Sequence, residues 1–347
     1  MLNAAMLHRG RIAARKRVAL LLAAVTMLSA GGAAAQEWNQ FRGPGAAGVV
    51  ADNPNLPERW SADENVAWRT PIPGLGWSSP VVAGGLVFVT TVASDGEVEA
   101  PESGWYRGGE RATPQDVHHW LVYALDLEIG ETRWRTEVHA GVPASSHHLK
   151  NTFASETPIT DGEHVFVLFG NVGLFALGLD GTVRWSRDLA PAETRNGWGT
   201  ASSPVLHDGR VYLVVDNEEQ SYLAALSAET GAELWRTDRD EGSNWSTPYV
   251  WEHDGRTEIV TTGTDRVRSY DLAGRELWGL TGMSSIVIPT PTAAHGLLYL
   301  ESGYIADFFR PVYAIRPGAS GDISLAEGET ANEYVAWSLE QGGSYHP

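Results

Sequence analysis

SSPVLHDGRVYLVV, residues 202–215, starts with two hydroxyl residues and a proline, turns at Asp-Gly, and ends in an apolar run. LAALSAETGAELW (223–235) follows and closes on a tryptophan. Asp-Gly reaches the positive φ angles of a two-residue hairpin. A run with no polar alternation suits a strand covered on both faces. The opening signature recurs as SSPVVAGGLVFVTT (78–91), ETPITDGEHVFVLF (156–169), STPYVWEHDGRTEIVTT (246–262) and PTPTAAHGLLYLES (289–302). The closing one recurs as VYALDLEIGETRW (122–134), LFALGLDGTVRW (174–185) and RSYDLAGRELW (268–278), with a divergent copy from 311 to Trp337. From Pro158 onward the signature prolines, Pro204, Pro248 and Pro291, are spaced by 46, 44 and 43 residues.

Four short antiparallel strands in about 40–45 residues make one propeller blade. A lone four-stranded sheet cannot bury both faces, so blades stack around an axis and each covers its neighbour. The spacing therefore predicts an all-β chain, a β-propeller of four-stranded antiparallel blades. Trp134, Trp185, Trp235 and Trp278 are expected to be structural anchors at the blade faces, because an indole buries a large area. Residues 93–120 and 316–334 interrupt the period and lengthen the first and fifth blades.

Composition agrees with this architecture. The chain has 38 glycines, 14 tryptophans and 11 tyrosines, turn formers beside β-favouring aromatics, and no cysteine. Residues 1–35 have the three parts of an export signal: five basic residues up to Arg17, the apolar VALLLAAVTML (18–28), and Ala33-Ala34-Ala35. The apolar run falls short of the roughly 20 residues a membrane span requires. Cleavage after Ala35 would leave 36–347 as one propeller domain in the periplasm or medium, with no cysteine for a lipid anchor. Removing five basic residues leaves 20 against 43 acidic, a formal charge of −23 that repels nucleic acid and anionic lipid.

The closing signature resembles A-x-D-x-x-T-G-x-x-x-W, the tryptophan-docking motif of quinoprotein propellers. Ala225, Thr230, Gly231 and Trp235 match it, with Ser227 in place of the acid, as do Ala124, Asp126, Gly130 and Trp134, with Ile129 in place of Thr. WNQFRGPGAAGV (38–49), 151–177 and 195–213 resemble an exported bacterial subgroup of the pyrroloquinoline-quinone-like (PQQ-like) β-propeller repeat family. That resemblance implies a ring of eight blades, of which about five and a part are present. Residues 342–347 read as the lead-in to a sixth, and roughly 110–140 further residues are expected at the blade period. WSADENVAWRT (60–70) would supply the outer strand of the closing blade. Expressed alone, the chain is expected to leave sheet edges open and to be poorly soluble.

Quinoprotein dehydrogenases of this kind use vicinal cysteines, an aspartate base and calcium. The absent cysteines count against quinone and calcium as cofactors. Glu156, Asp216, Asn217, Glu218 and Glu219 lack the spacing of a calcium cage and read as solvated loop groups. His118, His119, His139, His147 and His148 cluster, but neighbours on a strand point to opposite faces, so no metal site is expected. No Ser-His-Asp order, phosphate loop or zinc helix is present, and no catalytic residue is assigned. Trp77 and Trp245 hold the same phase of two blades, with Phe153 and Trp198 slightly earlier in the blades between. Trp77, Trp198 and Trp245, with Arg195, Asn196 and Asn244, are the predicted ligand-binding set at one mouth of the channel. The expected role is a non-catalytic binding or scaffold module, similar to the propeller lipoprotein of the outer-membrane barrel-assembly machinery, whose partners are envelope proteins or a small ligand. The alternatives are a quinone-dependent dehydrogenase of alcohols or sugars, and small-ligand or carbohydrate binding at the aromatic mouth.

Overall fold

The computed structural model describes residues 37–50, 56–99 and 109–346, so the expected export signal lies outside the described residues. Each opening signature begins a four-stranded antiparallel meander. Sheet 1 contains β1 (Val81–Ala83), β2 (Leu86–Ser94), β3 (His118–Asp126) and β4 (Thr132–Gly141). Sheet 2 contains β5 (Ile159–Thr160), β6 (His164–Phe169), β7 (Gly173–Gly178) and β8 (Val183–Asp188). Sheet 3 contains β9 (Val205–His207), β10 (Arg210–Val215), β11 (Ser221–Ser227) and β12 (Glu233–Arg239). Sheet 4 contains β13 (Tyr249–His253), β14 (Arg256–Thr261), β15 (Arg266–Tyr270) and β16 (Glu276–Thr281). Sheet 5 contains β17 (Thr292–Ala294), β18 (Leu297–Glu301) and β19 (Val312–Ile315); the chain then leaves it through β20 (Gly321–Asp322) and returns as β21 (Val335–Leu339).

The hairpin pairs do what their chemistry predicts. Asp208-Gly209 and Asp254-Gly255 adopt φ of 48° and 67°, and of 47° and 74°, the primed-turn values that match strand twist. Side-chain alternation then divides each middle strand between two cores. Val211 and Leu213 of β10 pack with Phe166 and Leu174 of sheet 2, whereas Tyr212 and Val214 pack with Ile259 and Tyr270 of sheet 4. Sheets 1 and 2 share a core around Phe88, Trp120 and Phe175, and sheets 4 and 5 one around Trp251, Leu298 and Tyr313. Each such side chain contributes about 1.5–3 kcal/mol on full burial, so the stacking of sheets carries the fold. The opening strands β1, β5, β9 and β13 neighbour one another in turn, the inner position of each blade. The molecule is a β-propeller.

The closing tryptophans lock successive sheets. Nε1 of Trp134 donates to Leu179 O (2.7 Å), that of Trp185 to Ala228 O (2.9 Å), and that of Trp235 to Leu272 O (3.0 Å). Each indole lies so close to a turn glycine of the next sheet, Gly181, Gly231 or Gly274, that a Cβ there would overlap it. Trp68 repeats the arrangement against sheet 1, donating to Leu127 O (3.0 Å) under Gly130. Trp-Arg-Thr recurs at 68–70, 134–136 and 235–237, and each threonine hydroxyl donates to the carbonyl of the glycine that its tryptophan covers.

Trp278 departs from this scheme. Its Nε1 donates to Glu258 Oε2 (2.7 Å) within its own sheet, and that buried carboxylate also takes His253 Nε2 (2.8 Å), Arg256 Nε (2.9 Å) and the Ser269 hydroxyl. The fifth-blade insertion replaces the missing lock: β20 pairs in parallel with β16, and the Arg256 guanidinium donates to Ala319 O. The insertion therefore serves the packing between blades 4 and 5.

Candidate functional site

Trp77, Trp198 and Trp245 meet at one cavity of about 520 Å³, formed where connectors enter the opening strands. Backbone bonds between neighbouring blades set them there: Trp77 N–H donates to Ala154 O (3.0 Å) and Trp245 N–H to Val287 O (3.1 Å). The Trp198 and Trp245 rings lie 6.0 Å apart, tilted by 38°, and Trp245 Nε1 donates to Gly199 O (2.8 Å), in the connector carrying Trp198. Trp77 is 46% exposed, so one indole presents an apolar face to solvent. Phe41, His148, Ile286, Ile288 and Tyr345 also line it, as does Lys150. Sequence reasoning missed them because they lie outside the repeat's phase.

The floor explains the hydroxyl in the opening signature. Ser79 N–H donates to Thr157 Oγ1, Thr157 N–H to Ser203 Oγ, and Ser203 N–H to Thr247 Oγ1, each at 3.0 Å. Four successive blades are thus laddered around the axis by the residue before the signature proline. Thr157, Ser203, Thr247 and Thr290 all line the cavity. The first three spend an oxygen lone pair on the ladder and keep a hydroxyl proton. Thr290, 5% exposed, has no hydrogen-bond partner for its Oγ1.

The other predicted ligand residues do not line this cavity. Arg195 donates from Nη1 to Ser285 O (2.9 Å), and its charge reaches Tyr345 from behind the wall. Asn196 occupies a left-handed turn (φ 53°), where its carbonyl accepts Arg111 N–H. Asn244 is buried between blades, donating to Asp216 Oδ2 (2.6 Å) and Thr262 O (2.8 Å) while accepting Ser246 N–H (2.9 Å). Satisfying its own backbone and a buried carboxylate leaves Asn244 no group for a ligand. Phe153 likewise turns into the core, edge-on to His147 at 4.6 Å.

The acidic residues read as solvated divide between core and surface. Glu218 and Glu219 are exposed, but Asp216 and Asn217 are buried, and Asp216 forms a two-point ion pair with Arg239 (2.8 and 3.0 Å). Glu156 is 1% exposed, accepts the Thr200 hydroxyl (2.5 Å) and Gly170 N–H (3.3 Å), and burial pushes its pKa up to about 7. The sequence concealed this because two-sided burial comes from sheets 44 residues apart. The histidines serve separate roles: His139 packs on Trp120 at 4.9 Å, and His119 sits between Glu137 and Asp95, whose hydrogen bonds raise its pKa. Burial, then the charges of Arg111 and Lys150, hold His148 below the ordinary imidazole range. Among the described residues no three metal-ligating side chains converge.

The fold thus defines a repeat propeller with an aromatic, hydroxyl-floored mouth. A family model described as outer membrane protein assembly factor BamB matches residues 120–220 and 219–346. The chain belongs to the PQQ-like β-propeller repeat family. It is 26% identical over 211 residues to the outer membrane protein assembly factor BamB of Burkholderia pseudomallei (strain K96243), covering 54% of this chain and 51% of that protein. The BamB of Yersinia pestis is 27% identical over 195 residues, covering 50% and 46%. The chain spans about half the length of these relatives. Among solved structures, BamB from Moraxella catarrhalis superposes with a TM-score of 0.38 at 19% identity, covering 59% of this chain and 56% of that one. A europium-containing methanol dehydrogenase gives 0.42 at 11% identity, covering 77% and 71%. Among the described residues no helix is long and apolar enough to cross a membrane.

Proposed function

We propose that this chain is a non-catalytic binding module of the cell envelope, exported to the periplasm by its leader, that holds a partner protein against its connector face. The aromatic cavity carries this reading. Its walls present indole and phenyl surface to solvent, as protein-binding sites do, and among the described residues no acid lines it. The relatives named as outer membrane protein assembly factors favour a partner from that machinery. A quinone with calcium does not suit this donor set: among the described residues no carboxylate lines the cavity, and the chain has no cysteine for a disulfide over the ring.

The test uses the full-length protein in its own bacterium, with a photo-crosslinking residue at Phe308, exposed on the loop between β18 and β19 whose Tyr304 packs on Tyr345 of the cavity wall, or, as control, at Val183 on β8. Adducts identified as an outer-membrane-assembly or other envelope protein are expected from position 308 and not from 183. Alcohol-dependent dye reduction by the purified protein supplied with pyrroloquinoline quinone and calcium would overturn the reading, as would equal adducts from both positions.

A further inference from the structure

WNQFRGPGAAGV (38–49) precedes the first blade in sequence, yet it lies at the hub. Each opening strand sits at the edge of its sheet, and the backbone groups along that edge need partners. Trp38 pairs with Val82 of β1 in both directions, with N–H to carbonyl distances of 3.1 and 2.8 Å, and Asn39 O accepts the Thr160 N–H of β5 (2.9 Å). Ala46 is buried, and it joins the core that Tyr249 and Trp251 of sheet 4 share with sheet 5. A segment bonded to blades 1 and 2 at one end and packed into blades 4 and 5 at the other runs across the hub. Between those ends, Phe41 lines the cavity.

The crossing is fixed by its own backbone. Arg42 and Ala46 have φ of 61° and 51°, a left-handed conformation that side chains rarely adopt. Gly43 (φ 68°) lies so close to the Trp38 indole that a Cβ there would overlap it. Its N–H donates to Gln40 O (2.9 Å), and its carbonyl accepts Ala46 N–H (2.9 Å) and Gln40 Nε2 (3.1 Å). Gly48 N–H closes the turn on Arg42 O (2.7 Å). Non-glycine residues at positive φ persist only where their surroundings fix them, and they gather at functional sites. Here they follow Phe41 and hold the chain that carries its ring.

We infer that residues 38–48 are a plug across the hub and that Phe41 is the specificity-determining residue of the cavity, its ring limiting how deep an apolar group of the partner can reach. The inference rests on the binding-module reading and names what bounds the site. A short apolar group is received, and one that is a ring longer meets Phe41.

Fluorescence titration of the purified full-length protein tests this with two neutral dyes that differ by one phenyl ring, α-naphthylamine and N-phenyl-α-naphthylamine. Phe41→Ala removes from the protein the ring that the second dye adds. It is expected to bind the longer dye about tenfold or more tightly than the parent does, the equivalent of burying one ring, without binding the shorter dye any more tightly. Phe41→Leu, which keeps most of the bulk, should gain less. No gain for the longer dye, or an equal gain for both, would overturn the role of Phe41. Hydrogen exchange tests the plug in the unaltered protein: the amides of Val82 and Thr160, which donate to Trp38 and Asn39, are expected to be protected like those inside the blades. Gly43→Ala, which drives a Cβ into the Trp38 indole, should speed both about tenfold or more. Exchange of these two amides at the rate of exposed loops in the parent would overturn the plug. Neither readout involves a partner protein, so crosslinking at position 308 stands or falls separately.

Discussion

Replacing Gly231 by alanine isolates the energy of one tryptophan lock. Gly231 has φ 69°, and a Cβ there would lie 2.5 Å from Cε3 of Trp185. Gly209, in the same sheet, has φ 67° with nothing within 4 Å of its Cβ position. Both alanines meet the left-handed backbone penalty of about 1–2 kcal/mol. Only the Gly231 variant also displaces an indole, an overpacking cost of about 1–3 kcal/mol. It also stretches the 2.9 Å bond from Trp185 Nε1 to Ala228 O, which is worth about 1 kcal/mol. Gly231→Ala should therefore lower stability by about 3–6 kcal/mol and Gly209→Ala by about 1–2 kcal/mol. Urea unfolding followed by far-ultraviolet circular dichroism measures both, with the slope checked so that midpoints convert to free energies. Equal losses for the two variants would show that the indole does not lock sheet 2 to sheet 3, and the explanation of the closing signature would fall.

Two further outcomes follow from buried polar groups. Glu156 keeps its proton in the fold up to about pH 7, whereas the unfolded carboxyl releases it near 4.5, so its contribution to stability is full below pH 4.5 and declines as pH rises to 7. Glu156→Gln should gain on the parent by up to about 3 kcal/mol between pH 4 and pH 8, at about 1.4 kcal/mol per pKa unit; denaturant midpoints at the two pH values check it, and a pH-independent difference would refute the assignment. Ser203→Ala removes the acceptor of Thr157 N–H, and a buried donor left unpaired should cost about 1–3 kcal/mol. Hydrogen exchange at the Thr157 amide should accelerate accordingly, and unchanged protection there would refute the ladder.

Much of this molecule could be read along the chain. Strand positions, hairpin pairs and the covering role of Trp134, Trp185 and Trp235 depend on side-chain alternation and turn geometry, which act over two to four neighbouring residues. Trp278 carries the same signature, yet donates to Glu258, a buried carboxylate that the tertiary fold places in its own sheet. The site was legible only in part. Trp77 and Trp245 shared a phase and came together with Trp198, slightly earlier in its blade, whereas Asn244 and Arg195 shared their neighbourhood in sequence and were taken up by backbone and ion-pair partners.

The sequence by itself determined the repeating unit, its four strands and its two-faced apolar runs, because periodicity and φ preference are local properties. Tertiary structure alone decided that Phe41, His148 and Tyr345 face one cavity, that signature hydroxyls ladder the blades, and that Glu156 is buried. Those outcomes depend on how each sheet rotates and packs on the one before it, a relation between residues 40 to 300 positions apart that no local preference encodes.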